Sequence, residues 1–278
     1  MTTDPYLRRS VLKGAASATF ISALGAVLAP ARAAATESYA MLIFSDPVAG
    51  REAEYNEWYD KRHLPDIVAV PGFVRARRLK LAPIQFRSSP ALPRYLAYFE
   101  ISTDDLPAAF AEVDRRRNSG ENVMSKAFDL KKAVGRAYRM LGDPVLAQGV
   151  AALSPAEDAA DGFHIVFNAP VAGKDAAFNR WYDTHHLPDM LTIPGFVSGE
   201  RGTSHQVKSM GGPPEPPYVA IFRFVPDDLA ALSQRFSAAV PHMEMEPVMA
   251  MADGYTFLPH GPVLDGDTIR AERAAKQS

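Results

Sequence analysis

The sequence predicts an α+β protein made of two tandem copies of one β-α-β-β-α-β unit, packed sheet to sheet. Three observations predict it. The stretch Asn56-Glu57-Trp58-Tyr59-Asp60-Lys61-Arg62-His63-Leu64-Pro65-Asp66 returns as Asn179-Arg180-Trp181-Tyr182-Asp183-Thr184-His185-His186-Leu187-Pro188-Asp189. The spacing is constant, since 186 minus 63, 181 minus 58 and 195 minus 72 all give 123. It holds without a gap from Phe44/Phe167 to Tyr95/Tyr218 and on to Asp104-Asp105-Leu106/Asp227-Asp228-Leu229. Finally, a four-stranded sheet with two helices on one face leaves its other face bare, and a second copy covers it.

The chain opens with an address. Arg8-Arg9-Ser10-Val11-Leu12-Lys13 is a twin-arginine export pattern. An apolar, small-residue run follows from Ala15 to Ala29, and Ala31-Arg32-Ala33 reads as a cleavage site. The run is shorter than the roughly 20 residues of a spanning helix, which favours removal over anchoring. Residues 1–35 are therefore expected to be a signal peptide. The mature protein is expected in the periplasm, with no stable membrane anchor.

Repeat one is expected over residues 36–141. Tyr39 to Phe44 is an apolar strand, broken by Asp46-Pro47-Val48-Ala49-Gly50. Ala53, Tyr55, Trp58 and Tyr59 sit near helical spacing, so Arg51 to His63 reads as an amphipathic helix. Pro65 disfavours helical geometry at Leu64, which predicts a helix end at His63 and a new short turn from Pro65 to Val70. Pro71-Gly72 turns into a strand over Phe73–Leu81, and Arg94 to Ser102 gives the next. Asp104-Asp105 starts a helix to about Arg117, and Ala133 to Leu141 closes the repeat as a strand.

Gly142 to Asp161, rich in Ala, Gly and Pro, reads as a linker. Repeat two, 162–262, follows the same order. It has strands at Phe163–Phe167, Phe196–Gly202, Tyr218–Val225 and Gly254–Leu258, and helices at Lys174–His186 and Asp227–Val240. Its Gly211-Gly212-Pro213-Pro214-Glu215-Pro216-Pro217 connection is expected to be a stiff loop capping an exposed edge. Residues 263–278 read as a charged tail forming a surface helix. The unit is ferredoxin-like, and two of them packed sheet to sheet make a dimeric α+β barrel within one chain.

Composition narrows function. The 30 basic against 32 acidic residues, without a long basic run, argue against nucleic acid. No cysteine is present, which excludes disulfides, thiolate catalysis and cysteine metal sites. The sequence has no nucleophile elbow around a serine and no phosphate-cradling glycine loop.

Around Trp58-Tyr59-Asp60 to His63-Leu64-Pro65, and in the copy, the sequence resembles the EthD-like branch of the dimeric α+β barrel superfamily. The resemblance covers nearly all of residues 39–260. It implies an aromatic-rich first helix ending in a histidine, and a pocket between sheet and helices faced by a histidine or tyrosine. The superfamily spans ring isomerases, polyketide cyclases and dehydratases, cofactor-free monooxygenases and haem enzymes. The Gly-x-x-Asp-Gly signature of the haem branches is absent, which lowers a haem reading.

His63 and His186 match the motif position and are the candidate acid–base groups, with Tyr59 and Tyr182 one turn earlier on the same side. A histidine at a helix C-terminus is favoured as the imidazolium, which predicts a pKa near or above neutral. Asp66 and Asp189, three residues on, are placed to fix the imidazole tautomers. In the alternative reading these histidines lock the helix end to strand two, and the aspartates serve the next helical turn. Trp58 and Trp181 are equivalent and read either as helix-to-sheet packing or as the wall of an aromatic-ligand pocket. Tyr95, Tyr218, His164 and His185 complete the candidate substrate contacts. His164 replaces Met41, and with His185 and His186 it tips the preference toward repeat two as the active half. Adjacent histidines point apart on a helix, so no metal is expected. The reading is a cofactor-independent lyase, dehydratase or isomerase acting on a small hydrophobic, aromatic or cyclic molecule. The alternatives are a non-catalytic hydrophobic-ligand binder and a cofactor-free or haem-dependent oxygenase. A homodimer is allowed.

Overall fold

Alternation along the strands sorts side chains into a barrel interior and an outer layer beneath helices. The computed structural model describes residues 36–151, 160–207 and 215–276. The expected signal peptide and residues 211–214 of the stiff loop lie outside the described residues.

The strands are β1 (Glu37–Ser45), β2 (Phe73–Leu81), β3 (Tyr95–Thr103), β4 (Val134–Met140), β5 (Val145–Leu146), β6 (Gly162–Pro170), β7 (Phe196–Ser204), β8 (Tyr218–Phe224) and β9 (Met249–Asp265). They hydrogen-bond in the order β4-β1-β3-β2-β9-β6-β8-β7-β5. A further antiparallel pairing of β4 with β7, through Tyr138↔Ser204 to Met140↔Gly202, closes an eight-stranded ring with β5 outside it. The bare faces are thus joined edge to edge into one barrel. Its interior is filled by Ala40, Leu42, Phe44, Leu96, Phe163, Ile165, Val219, Ile221 and Phe257.

Two strands cross between the halves. The expected strand at 254–258 is the middle of β9, which pairs with β6 through Phe257 and then with β2 through Asp265. Pro259 stands opposite Leu79 in the β2 ladder, and Pro262 falls within the register shift between Arg77 and Leu79, where a missing amide removes no ladder bond. The expected tail therefore begins inside β9. Within the expected linker, Val145 and Leu146 form β5 against Gly199 and Ser198.

The helices lie outside the barrel: α1 (Glu52–Trp58), α2 (Leu64–Val68), α3 (Leu106–Asn118), α4 (Asp175–Trp181), α5 (Leu187–Leu191), α6 (Leu229–Ala239) and α7 (Gly266–Ala275). Asp105 and Asp228 cap α3 and α6 by accepting from the amides of Ala108 and Ala231. The expected surface helix at the C-terminus is α7, and it is anchored. Arg270 donates to the carbonyls of Val68, Val70 and Phe73, and Arg273 pairs with Asp66 at 2.6 Å.

The first helix does not end at His63. Tyr59–His63 is a π-helical turn that joins α1 to α2, and Tyr182–His186 does the same between α4 and α5. Leu64 keeps helical angles (φ −60°, ψ −49°) although Pro65 follows, and its amide bonds back to the Tyr59 carbonyl, five residues earlier. The wider turn makes room for a proline that an α-turn would exclude.

Candidate active site

Met41 and Ile43 of β1, Phe99 of β3 and Gly135 of β4 form the floor of a cavity of about 390 Å³ between the first-half sheet and its helices. Ile67 of α2 and Phe110, Val113, Asp114 and Arg117 of α3 wall it, and Met124, Phe128 and Leu130 rim it. The volume falls in the range of small-ligand sites, and the lining is largely apolar. Its polar groups are few: His63, and the paired Asp114 and Arg117 (2.7 Å). A cavity of about 440 Å³ beside it shares Phe110 and Asp114 and is walled by His205, Gln206 and Val207 from the β7–β8 connection. A groove of about 490 Å³ on the outer face is lined by Trp58 and by surface charges, among them the Lys61–Glu57 and Arg51–Glu54 pairs.

His63 is held by rings. Its imidazole stacks on Trp58 at 4.5 Å between centroids and meets the edge of Tyr59 at 5.1 Å. His186 is clamped alike, at 4.8 Å from Trp181 and 4.8 Å from Tyr182. The indoles are fixed in turn: Trp58 Nε1 donates to the Val123 carbonyl (2.8 Å) and Trp181 Nε1 to the Glu244 carbonyl (2.9 Å). Neither tryptophan lines its half's apolar cavity; each backs a histidine there, and Trp58 also lines the outer groove.

The expected pKa of the histidines is overturned. Both lie inside continuous helices, so no helix C-terminus stabilises the imidazolium. Burial and then the Arg78 guanidinium lower His63 to about 4. His186 is lowered to about 4 by burial, then Arg201 and Arg87. Both rings are neutral at pH 7. Among the described residues no hydrogen bond engages the His63 side chain, and Nδ1 of His186 is buried without a partner.

Several expected contacts go elsewhere. Asp66 is engaged by Arg273 rather than by His63, and no hydrogen bond links Asp189 to His186. Burial pushes the Tyr59 and Tyr182 phenols well above their ordinary values, their hydroxyls are buried, and neither tyrosine lines a histidine-lined cavity. They support the imidazoles and are not placed to deliver a proton. Tyr95 lies behind α1 against Glu52, and the Tyr218 hydroxyl accepts from Asn179 at 2.9 Å. His185 is exposed, 2.7 Å from Thr184 Oγ1.

Sequence reasoning missed what the asparagine and aspartate of the motif do. Arg78 on β2, with a fully buried side chain, donates to Asp60 at 2.6 Å and to Asn56 Oδ1 at 2.8 Å, and lies 4.5 Å over the Tyr59 ring. Arg201 on β7 repeats this with Asp183, Asn179 (2.7 Å) and the Tyr182 ring (4.3 Å). The signal was present, because 201 minus 78 is again 123.

The second-half cavity is the counterpart of the first. Met41/His164, Ile43/Val166, His63/His186, Ile67/Met190, Phe99/Phe222 and Val113/Phe236 line the two, each pair 123 residues apart. Yet it measures only about 60 Å³. Phe86, from the β2–β3 connection, fills the layer beside it, against His164 (5.0 Å) and Phe236 (5.3 Å). His164 itself is buried, 3.1 Å from Thr256 Oγ1. The sequence preference for repeat two is therefore reversed, and the open pocket belongs to the first half. Among the described residues no group of three or more His, Asp or Glu is placed to hold a metal ion. None of the described helices is long and apolar enough to cross a membrane.

No known family and no curated protein matches this chain. Three solved structures resemble it. An anthrone oxidase-like protein shares 12% identity at a TM-score of 0.49, covering 83% of this chain and 93% of its own. A presumed monooxygenase of Fusobacterium nucleatum shares 9% at 0.46 (83% and 95%). A chlorite dismutase variant of Candidatus Nitrospira defluvii shares 10% at 0.43 (85% and 95%).

Proposed function

We propose that this protein is a cofactor-independent acid–base enzyme of the lyase, dehydratase or isomerase kind, acting on a small hydrophobic, aromatic or cyclic substrate in the first-half pocket. One observation carries the reading: His63 is a neutral imidazole with no hydrogen-bond partner among the described residues, held by Trp58 and Tyr59 in an apolar cavity of about 390 Å³. In that setting its lone pair is free to accept a proton from a bound substrate. A low pKa makes it a weak base in the empty site. A substrate that becomes anionic as it loses its proton forms an ion pair with the imidazolium, and low dielectric strengthens that pairing.

His63→Ala tests this. Turnover of a cyclic or aromatic carbon-acid substrate should fall by about 10²-fold or more, whereas His186→Ala should leave it near wild type. Unchanged turnover in His63→Ala would sink the reading. One feature favours a second reading, a carrier of the same ligands: neither Asp66 nor the Tyr59 hydroxyl is placed to relay the proton.

The internal repeat and the strand orders β4-β1-β3-β2 and β9-β6-β8-β7 support a tandem pair of ferredoxin-like units forming an intrachain dimeric α+β barrel of EthD-like type. Arg8-Arg9 and Ala31-Arg32-Ala33 support export to the periplasm by the twin-arginine route. With both arginines changed to lysine, the protein should stay in the cytoplasm. Processing and export of that variant at the wild-type level would contradict the assignment.

A further inference from the structure

The second-half cavity keeps the parts of a binding site. His186 and Asn168 line it, and Nδ1 of His186 and Oδ1 of Asn168 are buried without a hydrogen-bond partner among the described residues. Most buried polar atoms in folded proteins have a partner, so two left without one on the same cavity call for an explanation. The present volume, about 60 Å³, admits one or two waters and no organic ligand.

What closes the site comes from the other half. The side chain of Phe86 is buried and packs against His164, Phe196, Phe224 and Phe236. Its loop is latched to β9. Gln85 Nε2 donates to the Thr256 carbonyl (2.9 Å) and Oε1 accepts from the Thr256 amide (2.8 Å), while Ser89 Oγ accepts from the Gly254 amide (3.0 Å). With two backbone amides and a carbonyl tied down, the phenyl ring is a fixed plug rather than a swinging gate.

We propose that Phe86 is a built-in occupant of a second ligand site, whose ring stands where the ring of a phenol-sized ligand would stand. The native chain thereby binds ligand in its first half alone. Removing the phenyl should merge its space with the cavity, approaching the roughly 150 Å³ that admits a benzene ring. The vacated space is bordered by the rings of Phe196, Phe224 and Phe236, and His186 and Asn168, which line the adjoining cavity, are the residues to engage a hydroxyl. The ligand class is therefore a single six-membered aromatic ring carrying one hydrogen-bonding group.

The experiment is a fluorine NMR titration of wild type, Phe86→Ala, Phe86→Ala/His186→Phe and Phe86→Ala/His63→Ala with 4-fluorophenol. Phe86→Ala should show one bound resonance that wild type lacks. That resonance should vanish in the His186→Phe background and persist in the His63→Ala background. A folded Phe86→Ala without a new resonance would overturn the proposal, as would a new resonance indifferent to His186. Should Phe86→Ala fail to fold, Phe86→Val replaces it, with the same outcomes deciding. Loss of binding in the first half alone counts against the proposed function and leaves the second site standing.

Discussion

His63 shows how a single side chain changes meaning between sequence and fold. Its position after an aromatic-rich helix suggests an imidazolium at a helix end. Burial beside Arg78 makes it a neutral imidazole instead, with its pKa lowered to about 4. The sign follows directly: a histidine whose folded value is depressed keeps its neutral, proton-accepting form far below pH 6.5. For a reaction limited by this base, kcat/KM should stay flat from about pH 8 to 5 and fall only as the pH approaches about 4. A pH–rate profile that falls through pH 6 to 7 would show that a different group, or a charged His63, carries the chemistry. His63 and His186 were legible as candidates because the motif repeats. Their charge state was not, because it depends on a guanidinium that strand β2 brings in from Arg78, outside the motif.

At the scale of elements, the first helix, its π-turn and strand β2 are one assembly. Asn56 and Asp60 project toward the sheet one turn apart, and Arg78 answers both with a bond at 2.6 Å to the carboxylate and another at 2.8 Å to the amide oxygen. The same three residue types meet at Asn179, Asp183 and Arg201. Removing one partner of a buried ion pair leaves the other uncompensated, typically at about 3–5 kcal/mol. Asp60 retains some exposure, so Arg78→Met should cost about 3 kcal/mol in urea unfolding; Asp183 is 59% exposed and is left in water, so Arg201→Met should cost less, about 1–2 kcal/mol. A loss below about 1 kcal/mol in both would show that the guanidiniums do not hold the helices to the barrel. The Pro71-Gly72 and Pro194-Gly195 turns were legible because their glycines take φ of +90° and +111°, which other residues rarely adopt. The helix end at His63 was misread because Pro65 is an ordinary helix stop, and only the π-turn makes it compatible with a continuous helix.

For the molecule as a whole, the decisive contacts are the seams between halves. At the β4–β7 seam, Gly202 lies so close to its neighbour strand that a Cβ would meet Tyr138 Cβ at 2.9 Å and the Arg139 carbonyl at 3.2 Å. Gly202→Val should therefore part the seam and destabilise the protein by about 2 kcal/mol or more, read by denaturant unfolding. A neutral result would mean that the barrel tolerates an open seam. The other seam, β9 against both β6 and β2, threads the C-terminal strand through both halves.

The sequence by itself determined the repeat, the order of strands and helices within each copy, and the paired histidines, since all are local patterns or constant spacings. Tertiary structure decided which pocket is open, because Phe86 reaches the second half through a loop whose sequence carries no sign of its destination. It also decided the neutral state of His63 and the commitment of Asp66 to Arg273. Each of these depends on groups far apart in the chain, and burial and charge are properties of what surrounds a residue, not of its neighbours in sequence.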